Sequence, residues 1–372
     1  MARNAMELQM WCFDWLGQGR GGNRCAMRLF ALLLVPLVGF VAATLGHAQS
    51  SSGTAEEPAL DRVQFRPTPQ DGTRTLDGMV VDLQAKHVEL KLPSGSTRRI
   101  PRAEIVSVKL LNQPSIAKAE RAAADGKFAD ARDEFAAVVR MDVPHWMKRH
   151  AAARRIQSLR VLQQHRLALA DFVNLAKDDP EQILVDVVPV VWTSPLVDSL
   201  MDEQIKAWLV SDSEWERLVG ASLGLMHPAT TSASQQVFAE YVKSEDSAKE
   251  FGALESIARA QLWRLPQNRS PEELRLLQTQ LAAFPVEARA GALLVLGKLW
   301  KAAGKPDLAA DSFLQIAVLY PEQHDLVLLG LEAAYYTLRE LDREEAARVG
   351  QWLVQRHPSA AQTDEIRKEL GL

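Results

Sequence analysis

Cysteine is nearly absent from this chain, and where it stands excludes more than its scarcity does. Only Cys12 and Cys25 occur in 372 residues, both upstream of the apolar run Leu29 to Leu45. No cysteine follows that run, so the rest of the chain has no disulfide and no lipoprotein-type anchor. Metal motifs are missing too. None of the eight histidines forms a His-Glu-x-x-His pair, and His145 and His150, five apart, fall on different faces of one helix. No glycine-rich phosphate loop or dinucleotide fingerprint follows a predicted strand, so no cofactor is expected. The net charge of −4 gives no basic footprint for nucleic acid.

What is present begins with a leader. Arg28 precedes LFALLLVPLVGFVAATL, and Gly46-His47-Ala48 supplies small residues at the −3 and −1 positions of a signal-peptidase site. Cleavage is expected after Ala48, leaving Gln49 as the first residue of an exported, periplasmic or envelope-associated protein. A start at Met27 would give a more compact leader. The alternative is an uncleaved anchor, because the run lies near the lower limit for crossing a bilayer. Loss of residues 1–48 removes four basic and two acidic residues from 43 and 47, for a balance of −6.

Residues 49–71, rich in Ser, Pro, Glu and Gln without an apolar period, are expected to be a flexible linker. From Leu76 the period becomes that of strands. LDGMVVDL, HVELKL, STRRI and EIVSVKL are separated by Gln84-Ala85-Lys86, Pro93-Ser94-Gly95 and Pro101-Arg102-Ala103. This spacing predicts a four-stranded β module over 72–112. Its order Gly78-x-Val80, Val88-x-Leu90, Gly95, Ile100-Pro101, Ile105-x-x-Val108 resembles a small SH3-like or Sm-like barrel.

Helical periodicity then runs over 113–372, and Leu293 to Pro321 is its clearest unit. Leu293, Leu296 and Trp300 form one stripe, Gly304-Lys305-Pro306 breaks the helix, and Ala309, Phe313 and Ile316 face back before Pro321 ends the unit. Leu296-Gly297, Trp300, Ala309, Phe313 and Pro321 resemble the tetratricopeptide repeat position for position. Ala119, Gly126, Ala131, Phe135 and Pro144 form a related unit, as do Ile156, Leu159, Ala168, Phe172, Ala176 and Pro180. A last unit, Leu329 to Pro358, has Ala334, Ala346 and Leu353 but Gly350 where the family has Phe, so looser packing is expected there. Thr363 to Leu370 reads as a polar capping helix.

Between Glu181 and Ala288 the pairing looks HEAT-like. Gly220, Gly252 and Gly291 each begin a Gly-Ala step that lets a neighbouring helix approach closely. Ser270, Pro271 and Glu273 mark a capped helix start. The expected fold is therefore mainly α, an α-solenoid of stacked helical hairpins preceded by a small β-meander or partial barrel.

Two strings mimic catalytic motifs. Gly220-Ala221-Ser222-Leu223-Gly224 matches a nucleophile elbow, but it lies inside the amphipathic helix WERLVGASLGLM, where no strained strand-to-helix turn presents the serine. Ser115-Ile116-Ala117-Lys118 matches Ser-x-x-Lys without its companion motifs. No catalytic or metal residue is therefore assigned.

The repeat resemblance implies a concave groove lined by first-helix residues. Those are Leu294, Lys298 and Lys301 in the clearest unit and Tyr335 and Arg339 in the next, a set suited to an extended or acidic protein segment. A second candidate is the acid-free stretch Val143 to Ala170, whose Lys148, Arg149, Arg154, Arg155, Arg160 and Arg166 form either a solvated helix face or an electropositive surface. The expected function is an exported, non-catalytic protein-binding scaffold in envelope assembly or maintenance. The alternatives are a membrane-anchored assembly factor that keeps residues 29–45 and a cell-wall-active enzyme on a helical superhelix.

Overall fold

The computed structural model describes residues 60–68, 71–182, 187–193, 199–242, 252–358 and 360–372. All lie in one compact unit, Glu57–Leu372. The leader, its cleavage site, Met27, the apolar run and residues 49–59 of the expected linker lie outside the described residues. Among those described, no helix is long and apolar enough to cross a membrane.

Five strands form an antiparallel sheet: β1 (Asp61–Phe65), β2 (Arg74–Leu83), β3 (His87–Lys91), β4 (Thr97–Pro101) and β5 (Ile105–Lys109), in the order β4-β3-β2-β1-β5. The four expected strands form. β1 is an addition that corrects the linker assignment, since Asp61–Phe65 lies within residues 49–71. Val63 and Phe65 alternate with polar residues over too short a span to announce a strand, yet both are buried between β2 and β5. The buried Asp61 side chain fixes them there, accepting the Val80 N–H at 2.9 Å and the Asn112 N–H at 2.8 Å. The long β2 changes partners at Gly78, where a β-carbon would lie 2.5 Å from the Lys91 carbonyl oxygen. Its first half pairs with β1 and its second half with β3. A 3-10 turn, Arg102–Glu104, carries the chain from β4 across to β5.

Fourteen α-helices follow among the described residues. They are α1 (Pro114–Ala124), α2 (Phe128–Arg140), α3 (His145–Val161), α4 (His165–Asp178), α5 (Ser199–Leu209), α6 (Glu214–Gly224) and α7 (Thr231–Tyr241). The chain continues through α8 (Ala253–Leu262), α9 (Pro271–Gln280), α10 (Val286–Ala302), α11 (Pro306–Leu319), α12 (His324–Leu338), α13 (Arg343–Arg356) and α14 (Ala361–Leu370). Consecutive helices pack on one another, as amphipathic hairpins must to bury their apolar stripes.

Three hairpins share one turn. Gly126, Gln163 and Gly304 all take a left-handed conformation, and the next residue donates its N–H to the carbonyl five residues back, at Ala122, Leu159 and Trp300. This is the Schellman arrangement, which satisfies carbonyls that a helix end leaves open. Gln163 adopts it without the freedom of glycine.

Glycines set the tightest helix contacts. A β-carbon at Gly297 would fall 2.3 Å from Cε1 of the buried Phe313 ring, so only glycine admits that ring between α10 and α11. The three Gly-Ala steps differ from expectation. Gly220 does admit a helix, with Trp208 of α5 against it, whereas Gly291 receives the buried ring of Trp192 from an irregular segment. Gly252 caps α8 with open space around it, a correction that follows from its place outside the helix. Gly350 is not loosely packed, because Leu370 and Ile366 of α14 and the Tyr335 ring occupy the space of the missing Phe.

Contacts from α3 join distant parts of this unit. Arg149 of α3 donates to the Leu83 carbonyl of β2 at 2.6 Å and to Asp179 beyond α4 at 2.7 Å, fastening the sheet to the helices. Helix α3 also packs against α12, so the early hairpins meet the late ones.

Candidate functional site

The expected groove residues do not share one environment. Leu294 is only 1% exposed and belongs to the core between helices, which corrects its assignment to an open surface. The apolar stripe of α10 is broad, with buried residues from Ala288 to Gly297, and Leu294 falls within it. Tyr335 is corrected likewise. Its ring is buried, and only its hydroxyl reaches outward, donating to Glu369 Oε2 at 2.8 Å. Burial, then Glu369, raises the Tyr335 phenol above its ordinary value.

Its neighbour Tyr336, turned about 100° around the helix axis, is half-buried and shows an aromatic face. The Arg339 guanidinium lies 5.0 Å from that ring and 2.7 Å from Glu369. Lys301 pairs with Glu340 at 3.2 Å across the hairpins. Lys298 is exposed. Surrounding protein and Arg264 lower its pKa, while Glu332 acts in the opposite sense.

Around Tyr336 stand carboxylates that periodicity alone did not single out. Burial raises the Tyr336 phenol, followed by Glu365, Glu369 and Glu332. Burial and then Glu365 raise Glu332, and Lys298 opposes them. The face thus runs from Lys298 through Glu332 and Tyr336 to Glu365 and the Arg339–Glu369 pair. The spacings Glu332/Tyr336 and Glu365/Glu369, each i to i+4, put these groups on single helix faces and were the available signal.

No family model, curated protein or solved structure matches the chain. Its chemistry is therefore argued from the groups themselves. Ser222 is fully buried, accepts the Val191 N–H at 2.8 Å and donates to Gln261 at 3.1 Å. Arg264 seals that network through the Ser222 and Thr193 carbonyls, and burial lowers its pKa to about 10. The elbow-like string thus anchors the segment carrying Trp192 and presents no nucleophile. Lys118 of the Ser-x-x-Lys string is bound to Glu134 at 2.5 Å. Among the described residues no His, Cys, Asp and Glu group has metal-binding geometry.

The basic stretch is likewise corrected, because four of its six cations hold carboxylates from other elements. Arg149 pairs with Asp179 at 2.7 Å, Arg154 with Glu120 at 2.7 Å, Arg155 with Asp171 at 2.9 Å and Arg160 with Asp325 at 2.7 Å. Arg160 is itself buried, Lys148 is half-buried and Arg166 is exposed. The acids missing from the stretch are supplied by α1, α4 and α12 and by the residue after α4. Burial alone would raise Glu120, but Arg154 and His150 more than offset it and hold the carboxyl well below its usual range. These arginines join elements of the fold and do not form an electropositive surface.

Proposed function

We propose that the protein is a non-catalytic protein-binding scaffold of tetratricopeptide-like hairpins with an SH3-like β module, working at the cell envelope after export. The exported setting rests on the leader in the sequence. The repeat reading is supported by the shared left-handed turns and by Phe313 seated on Gly297. The SH3-like reading is supported by the order β4-β3-β2-β1-β5 with a 3-10 turn between β4 and β5.

The observation that carries the function is the run of partly exposed groups of both signs around Tyr336. Such a face suits an extended protein segment better than a small molecule, since stacked helix pairs present length and not an enclosed pocket. The partner's acidic group would meet Lys298, and a basic group would meet Glu332 and Glu365. Exposed ion pairs contribute about 0–1 kcal/mol each, so affinity must come from several together with the Tyr336 face.

Affinity capture from envelope extract, repeated with Lys298→Ala/Glu332→Ala/Tyr336→Ala, tests the reading. The triple variant should lose the captured partner while staying folded, with a melting temperature lowered only by the loss of the half-buried Tyr336 ring. Unchanged capture would remove this face from the binding function.

A further inference from the structure

The first helical hairpin is held to the last ones by a clasp of three rings. Gly126, in its left-handed turn between α1 and α2, sits under the end of α13, where a β-carbon would lie 3.0 Å from the Arg356 carbonyl oxygen and 3.1 Å from Pro358. Phe128, two residues on, is buried. Its ring centroid lies 5.3 Å from that of His324 and 6.0 Å from that of His357, the latter nearly parallel at 18°. The two imidazoles meet edge to face at 6.3 Å. Beside them α3 meets α12 through the Arg160–Asp325 pair.

His357 is 1% exposed, and neither ring nitrogen has a hydrogen-bond partner. A neutral imidazole tolerates this as an aromatic plate, whereas an imidazolium would bury two N–H donors and a charge without an acceptor. The groups facing the clasp add to that penalty. Arg154 from α3 and Arg356 from α13 are cationic. The opposing carboxylates are Glu120 from α1, Asp325 from α12 and Glu322 just before α12; Glu120 and Asp325 are already engaged by Arg154 and Arg160, and Glu322 acts on Arg356. Burial first, then Arg154 and Arg356, takes His324 down to about 4 against Asp325 and Glu120. Burial, His324 and Arg356 take His357 down to about 3.

We propose that this clasp is a proton-operated latch, closed by neutral His324 and His357 and released in mildly acidic surroundings by the uptake of two protons, while the rest of the helical array stays folded. In the released state both imidazoles return to their ordinary value near 6.5. As pH falls below that value the released form binds protons that the closed form refuses, so the equilibrium moves toward release. From pH 7 to pH 5 two such sites shift it on the order of a few hundredfold. Release uncovers Phe128 and the ends of α12 and α13 that it covers.

Hydrogen exchange of the full chain, corrected for intrinsic rates, tests this at pH 7 and pH 5. Protection around Phe128, His324 and His357 should fall by on the order of a few hundredfold, while the α10–α11 hairpin keeps its protection. The double variant His324→Phe/His357→Phe retains ring packing, carries no proton and should lose the pH response. Should that variant fold poorly, NMR titration of the two imidazoles in the native chain serves instead, and both should stay neutral to below pH 5 in the closed form. Unchanged protection between pH 7 and 5, a pH response retained by a folded double variant, or imidazoles that titrate near 6.5 would each overturn the latch.

Discussion

Replacing Phe313 by alanine tests the packing on which the clearest hairpin rests. The ring is 1% exposed and lies over Gly297, while its own backbone carbonyl faces Gly330 of α12. Helix α11 is thereby held between two glycine-bearing helices. Removing the phenyl group forfeits about 2 kcal/mol of transfer free energy. It also leaves a void of roughly 80 Å³, which at about 24 cal/mol per Å³ adds about 2 kcal/mol. Gly297 has no side chain with which to fill the space, so little relaxation is expected and the loss should be about 4 kcal/mol. Because α11 packs against both α10 and α12, protection should fall in those helices as well. Denaturant melts followed by far-UV circular dichroism, combined with hydrogen exchange, measure both effects. A change below about 1 kcal/mol is what surface substitutions give and would refute the seating of Phe313 on Gly297.

Three further outcomes are expected. Arg149→Ala strands the Leu83 carbonyl and Asp179 and should cost about 2–4 kcal/mol, with hydrogen exchange rising first in the β module; equal loss throughout the helices would argue against a junction role. Gln163→Gly relieves a left-handed backbone that side chains disfavour and should raise stability by about 0.5–1 kcal/mol in urea melts, whereas a decrease would mean that no strain is held there. Glu120, whose carboxyl is held below its usual range, contributes stability that is present above its unfolded value near 4.5 and lost as pH falls further. Glu120→Gln should therefore be less stable at pH 7 and lose less between pH 4.5 and 3 in thermal melts, and parallel profiles for the two proteins would contradict the assignment.

The sequence by itself determined the elements whose signals are local. Helical periodicity, the capping box at Ser270 and Glu273, the helix break at Gly304, and four of the five strands depend on neighbours within a few residues. Local spacing also separated Ser222 from a nucleophile, since a serine inside an amphipathic helix has no strained turn to present it. Tertiary structure decided the rest, because charge and exposure depend on what arrives from elsewhere in the chain. β1 is a strand because β2 and β5 flank it and Asp61 ties all three, although its own alternation is too short to say so. The acid-free run from Val143 to Ala170 reads as basic only until Glu120, Asp171, Asp179 and Asp325 fold against it. On the proposed partner face, register mattered to a single residue. The register implied by the repeat resemblance placed Tyr335 on the partner face, but the breadth of the apolar stripe on α12 buries that ring and leaves Tyr336 among the carboxylates. Periodicity specifies that a helix has an inner and an outer face, and only the neighbouring helices specify where the boundary between them falls.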